Sequence, residues 1–220
     1  MMPRLRFEKV GDSIWISHLD LMRVFQRAFR RADLLLKHSQ GFNPRAIVSI
    51  ALPLSVGVDS VCELLDFELE GETALPPDLA ERLNAKLPAG IRVLEVYENG
   101  RKLKELTHLR VRLTLEYDRG VPGDAAKEIE SLFRGDSLVM EKHSKRGVTE
   151  TDILSMLRSL TVSQADGQTL LLDAVICAQN PTLNPQMLIA AIGQFRPRFQ
   201  PDFAKCTRLE VLDTDGATFR

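Results

Sequence analysis

Four arginines in a short span, Arg23, Arg27, Arg30 and Arg31, come to one side of a helix when residues 17–32 are wound at about 100° per residue. Leu21, Met22, Val24, Phe25, Ala28, Phe29 and Ala32 then fall on the other side. A guanidinium is a planar, permanently charged fork that suits phosphates and carboxylates. Only Asp20 and Asp33, at the two ends, stand ready to neutralise the four, whereas a solvated helix gains from Glu interspersed at i,i+4. Two readings follow. The arginines form a binding face, or they form a solvated face salt-bridged to the acidic residues Glu63, Asp66, Glu68 and Glu70.

A second group follows closely: Ser39-Gln40-Gly41-Phe42-Asn43-Pro44-Arg45. Gly41 permits a positive φ, and Pro44 biases Asn43 away from the helical region. The expected product is a stiff turn in which backbone N–H groups, Ser39 and Asn43 point outward together and can cradle a phosphate or a carbonyl. Phe42 is either a plug over the core or a stacking platform for a base. His18, with Ser17 and Asp20 at the helix start, and His38, with Lys37 before the loop, are candidates for general acid–base cleavage of RNA. Against that stands the reading of each histidine as a structural residue satisfied by local hydrogen bonds. No Walker-type loop, GxGxxG, HExxH or serine elbow occurs.

The whole chain must position these groups. Its 220 residues are 44% hydrophobic, enough for one large domain or two small ones, and aliphatic side chains must do most of the packing. A net charge of −1 argues against wholesale attraction to nucleic acid or membrane. The distribution is uneven: residues 1–46 balance at +5 and residues 59–100 at −7, which predicts one positive and one negative face. Cys62, Cys177 and Cys206 are too far apart for a zinc or iron–sulfur motif and read as buried thiols in a reducing cytoplasm. No stretch approaches about 18 apolar residues, so a cytoplasmic protein with no membrane partner is expected.

Residues 4–10 alternate like a half-buried strand, and Ser17 is a plausible N-cap for the arginine helix. Strands are predicted at 47–52, 64–69 and 91–97, with a helix from Pro76-Pro77 to about Leu87. The order β-α-β-β-α-β predicts an α+β, ferredoxin-like first half over residues 1–98. After a polar hinge containing Asn99-Gly100, the order recurs over residues 107–220. Strands are expected at 109–117, 137–143, 157–162, 169–177 and 205–212, and helices at 123–133 and from Asn184 to about Phe195. The fold class predicted is therefore two tandem ferredoxin-like halves with antiparallel sheets.

Several stretches resemble one bacterial family. They are Phe7 with Gly11-Asp12, Ile16 to Arg23, Arg27-Ala28, Arg30-Arg31-Ala32, Ser39 to Pro44, Ala51-Leu52-Pro53-Leu54 with Gly57, and Glu63-Leu64-Leu65-Asp66. The family is that of the uncharacterised radical-SAM-linked proteins, encoded beside or fused after a radical SAM enzyme. The resemblance is specific over about residues 4–70 and looser beyond. It implies that iron–sulfur and SAM chemistry belong to the partner, since this chain has no CxxxCxxC and needs no cofactor or metal of its own. The tandem arrangement also resembles the RAMP proteins, which bind or cleave CRISPR RNA.

The expectation is thus a non-catalytic binding or adaptor protein that presents RNA to, or docks on, a radical SAM enzyme. Its contact surface would be Arg23, Arg27, Arg30, Arg31, Ser39, Gln40, Gly41, Phe42, Asn43 and Arg45. The alternative is an RNA-modifying enzyme or metal-independent ribonuclease using His18 or His38 with Lys37 or Asp20. A third reading is a scaffold whose arginines are covered by its own acidic strand.

Overall fold

The structure is a computed structural model that describes residues 2–71, 74–98, 100–144 and 147–220. Asn99 of the expected hinge lies outside them. The chain divides into two units, Met1–Leu103 with Arg220, and Lys104–Phe219.

The first unit runs β1 (Arg4–Lys9), a 3-10 turn (Gly11–Trp15), α1 (His18–Arg31), β2 (Val48–Ile50), β3 (Asp59–Phe67), α2 (Leu79–Asn84) and β4 (Ile91–Tyr97). Its strands lie in the order β4-β1-β3-β2, each antiparallel to its neighbour. Alternation in β1 sends Leu5 and Phe7 to one face, where they meet Leu65 and Phe67 of β3 and Ile91 and Val93 of β4. Leu21, Phe25, Ala28 and Phe29 of α1, with Leu79 and Leu83 of α2, close this core. Two ring contacts tie α1 to the sheet: Phe7–Phe25 with centroids 4.7 Å apart, and Phe29–Phe67 at 5.0 Å. The apolar face read from the sequence is therefore what fixes α1, and the arginines are left outside.

The second unit runs β5 (His108–Glu116), α3 (Ala125–Leu132), β6 (Val139–Ser144), β7 (Gly147–Asp152), β8 (Leu157–Gln164), β9 (Thr169–Cys177), α4 (Gln186–Phe195) and β10 (Phe203–Leu212). Four of its strands form a sheet in the order β10-β5-β9-β8, again antiparallel throughout. Leu109, Val111, Leu113 and Leu115 alternate inward from β5, beside Leu170, Leu172, Ala174 and Ile176 of β9. The expected strand at 137–143 does form, but it pairs with β7 as a separate hairpin inserted between α3 and β8. Residues 147–150 of β7 are all exposed, so no buried stripe marked it in the sequence.

Other boundaries moved. β2 is shorter than expected because it pairs only with the last three residues of β3. β3 begins at Asp59, five residues before the apolar run that suggested it. The helix expected from Pro76 begins only at Leu79, and Asp78 gives it no side-chain cap.

Candidate nucleic-acid interface

The start of α1 is built as its sequence predicts. Ser17 is extended (φ −67°, ψ 160°), and its oxygen accepts from the Asp20 N–H at 3.3 Å. The Ser17 hydroxyl in turn donates to Asp20 Oδ2 at 2.7 Å, a side-chain bond that holds the capping oxygen in place. Arg23 Nη1 meets Asp20 Oδ1 at 2.7 Å. The Ser17 hydroxyl first, and the Arg23 guanidinium next, hold the Asp20 carboxyl below its ordinary value.

The end of α1 carries a device the sequence did not suggest. Asp33 adopts the left-handed conformation (φ 54°). Its N–H donates to Arg30 O at 3.2 Å, and the Leu34 N–H donates to Phe29 O at 3.0 Å. This is the paired closure of a Schellman ending. Arg82 of α2 clamps it from outside: Nη2 and Nε donate to Ala32 O at 2.6 and 3.1 Å, and Nη2 reaches Asp33 O at 3.3 Å. Carbonyls that a helix terminus leaves unpaired thus gain a cationic donor.

From that ending the chain runs alongside the segment after β3. The Lys37 N–H donates to Glu68 O at 2.9 Å and the Glu70 N–H to Leu35 O at 2.8 Å, while Leu36 bridges Leu69. The chain then doubles back on itself. His38 bridges Ala46, the Ile47 N–H donates to Lys37 O at 2.7 Å, and the Ser39 N–H donates to Arg45 O at 2.9 Å. Ser39 Oγ accepts from the Arg45 N–H at 3.1 Å, so residues 39–45 are the tip of a hairpin-like arm closed at its base. Gly41 sits at φ 142°, a value that side chains rarely tolerate. Gln40, Gly41, Phe42, Asn43 and Pro44 are all exposed. Phe42 is 101% exposed, which overturns the reading of it as a plug.

The arginines of α1 are exposed and mostly unpaired. Arg23 is engaged by Asp20, whereas Arg27, Arg30 and Arg31 form no ion pair among the described residues. The acidic strand has other partners. Asp66 takes Arg4 through two bonds of 2.6 and 3.1 Å, Glu68 takes Lys37 at 2.9 Å, and Glu63 is buried near Lys9. The self-covered scaffold therefore does not form among the described residues. The +5 balance of the N-terminal segment also overstated the positive face. Arg4 and Lys9 are buried, and Lys9 Nζ donates to Ile14 O at 2.9 Å with burial pushing its pKa down.

The four candidates for acid–base chemistry are split between the two ends of α1. His18 and Asp20 lie in its first turn; His18 is half-buried, and its Nδ1 finds no hydrogen-bond partner among the described residues. Lys37 and His38 lie past the helix end, in the base of the arm, and Lys37 is taken up by Glu68. His38 lines two clefts of the first unit, and neither is lined by His18 or Asp20.

One cleft, of about 450 Å³, lies between α1 and the arm; Arg27, Arg30, Gln26, Leu35, His38 and Glu70 are among its lining. The other, of about 540 Å³, runs under the arm's tip and is lined by Lys37, Ser39, Gln40 and Gly41 among others. Sequence reading missed Gln26 and Leu35, and took Glu70 only as a salt-bridge partner for the arginines. The signal was the run Leu34-Leu35-Leu36: in extended chain, alternate side chains face opposite ways, so the middle one must turn outward. Leu34 and Leu36 are buried and Leu35 is 61% exposed.

Among the described residues no group of three or more His, Cys, Asp or Glu is placed to hold a metal ion. The three cysteines form no disulfide among the described residues. No described helix is long and apolar enough to cross a membrane.

A four-stranded antiparallel sheet in each unit, with helices packed on it, describes a mixed α+β protein. The chain belongs to the bacterial family described as "Uncharacterized protein conserved in bacteria (DUF2344)", whose model matches residues 3–185. No curated protein matches it in sequence. Among solved structures it is similar to a chain of a Cbf5-Nop10-Gar1 complex, with a TM-score of 0.54 and 11% identity over 96% of this chain and 49% of that one. A chain of an archaeal box H/ACA sRNP Nop10-Cbf5 complex aligns with a TM-score of 0.47 and 12% identity, over 94% of this chain and 47% of that one. This chain spans about half the length of both. The first likeness is one of fold; the second is too slight to add to it.

Proposed function

We propose that this protein is a non-catalytic RNA-binding adaptor, built from two tandem ferredoxin-like halves over residues 1–98 and 107–220, that works in the cytoplasm beside a radical SAM enzyme. The observation that carries the RNA reading is the set Arg27, Arg30 and Arg31 on the outer face of α1, which form no ion pair among the described residues, next to an arm whose tip bears the fully exposed Phe42. Guanidinium forks neutralise phosphates, and an exposed aromatic ring offers a surface on which a base can stack. Ser39, Gln40, Asn43 and Arg45 add donors around Gly41, and Arg23, held by Asp20, extends the basic face toward the helix start.

The radical SAM partner is supported by the sequence resemblance over residues 4–70. In that division of labour the cluster and SAM sit in the partner. A nuclease or modifying role for this chain has less support, since Lys37 is taken up by Glu68 and Asp20 by Ser17 and Arg23.

The test has two parts. Purification of the chain from native cells should recover RNA and a radical SAM protein together. In solution, RNA affinity should fall as salt rises and fall further in Arg27→Glu/Arg30→Glu. Recovery of the radical SAM protein with RNA binding absent or indifferent to salt would leave a protein-only adaptor and defeat the RNA reading.

A further inference from the structure

We propose that the cleft between α1 and the arm is a pocket for one unstacked nucleotide of a single-stranded RNA, and that Glu70 selects bases whose edge offers N–H donors. This rests on the reading of the α1 face as an RNA surface.

The chemistry of the lining is sorted by position. Arg27 and Arg30 are three apart on one helix, so their side chains start about 5–6 Å apart and share one rim. Neither is spent on an ion pair among the described residues, and together they offer two forks to the backbone phosphate of one nucleotide. The wall is apolar: Leu34, Leu36 and Ala46 with the outward-turned Leu35. An exposed leucine in such a wall is a surface against which the flat face of a base loses water. The remaining polar groups are Gln26, His38 and Glu70. A carboxylate accepts hydrogen bonds and repels a phosphate. The ligand's orientation follows: phosphate at Arg27 and Arg30, sugar and base along the leucines, and the base edge at Glu70. Guanine offers a carboxylate two adjacent donors, and uracil offers only one between two carbonyl oxygens.

The cleft volume of about 450 Å³ lies within the range of small-ligand sites. Its walls are fixed before any ligand arrives. The Schellman ending and Arg82 set where the chain leaves α1, and the backbone bonds 37-to-68 and 70-to-35 set where Leu35 and Glu70 stand. Such a pocket needs a base splayed from its neighbours, which unpaired RNA supplies and a duplex does not.

The test uses the whole chain and labelled strands of about eight nucleotides, all uridine or with one central guanosine, read by fluorescence anisotropy. Wild type should prefer the guanosine strand by about five-fold or more, the lower end of what one bidentate base contact discriminates. Glu70→Gln should abolish that preference, and Leu35→Ser should weaken both strands. Both side chains are exposed, so neither change threatens folding. A duplex of the same length should bind more weakly, and free guanosine monophosphate should not displace the strand at equal concentration. Salt-dependent binding that Arg27→Glu/Arg30→Glu reduces, without a guanosine preference or with one that Glu70→Gln leaves intact, overturns the pocket and spares the RNA surface. Absence of binding to every strand removes both. Displacement by free guanosine monophosphate at equal concentration would make it a mononucleotide site and overturn the RNA-strand assignment.

Discussion

Reversing two charges on α1 should change the salt dependence of RNA binding by an amount the structure sets. Arg27, Arg30 and Arg31 form no ion pair among the described residues, whereas Arg23 is engaged by Asp20 at 2.7 Å. Three phosphate contacts on a single strand predict a slope of log affinity against log salt of roughly −2, since each contact contributes about −0.7. Raising salt from about 50 to about 200 mM should then weaken binding roughly 20-fold. In Arg27→Glu/Arg30→Glu one of the three remains, the slope falls to roughly −0.7, and the same rise costs only about three-fold. The fold should tolerate the change, because both side chains are exposed and only Arg30 lies in the last turn, where losing a cation costs about 0.3–1 kcal/mol. Anisotropy of a labelled strand across a salt series, with thermal unfolding as a control, reads both quantities. A variant that stays folded and keeps the wild-type slope would refute the assignment, because other cations would then be releasing the counterions.

Arg82→Met keeps the stem of the side chain but removes the donors to Ala32 O and Asp33 O; unfolding in denaturant should show a loss of about 1–3 kcal/mol. Asp33→Gly relieves a left-handed residue at φ 54° and should raise stability by up to about 1 kcal/mol, whereas a loss there would mean that the Asp33 side chain contributes something the closure does not need. Ser17→Ala removes the N-cap of α1 and should cost about 1 kcal/mol in the same measurement. Asp20 has a folded pKa below its unfolded one, so its contribution is complete above about pH 3.9 and is lost as pH falls through the folded value. Melting curves of wild type and Asp20→Asn should converge below that window; curves that stay parallel down to it would remove Asp20 from the account.

How legible each element was depended on whether burial imposed a period on it. Helix α1 could be read because its apolar residues pack on Phe7 and Phe67 and because Ser17 and Asp20 carry the cap in their identities. Strands β5 and β9 alternate cleanly because each sends every second residue into a core. Strand β7 could not be read, since its first four residues are exposed and no core selects among Val148, Thr149 and Glu150. β3 was read too short for a related reason: Asp59 and Ser60 are buried, but their polarity hides the strand's beginning.

The candidate site divides along the same line. The arginines and the Gly41 turn were visible because each needs a residue type that little else explains. The cleft was not, because it depends on which charges are already committed. Sequence alone weighed Glu63, Asp66, Glu68 and Glu70 equally as partners for the arginines, yet Asp66 and Glu68 pair with Arg4 and Lys37, and Glu63 is buried. Register decides this. Arg4 faces Asp66 across β1 and β3, and the Lys37 N–H bonds to Glu68 O, so each acid meets the base that backbone pairing brings to it. Glu70, one step beyond, is carried to the cleft by its own N–H bond to Leu35 O. Two free arginines and a carboxylate then share one opening with a leucine that alternation turns outward. The selectivity proposed for the cleft thus depends on the register between residues 35–37 and 68–70, and shifting that register by one residue would exchange Leu35 for a neighbour and point Glu70 away.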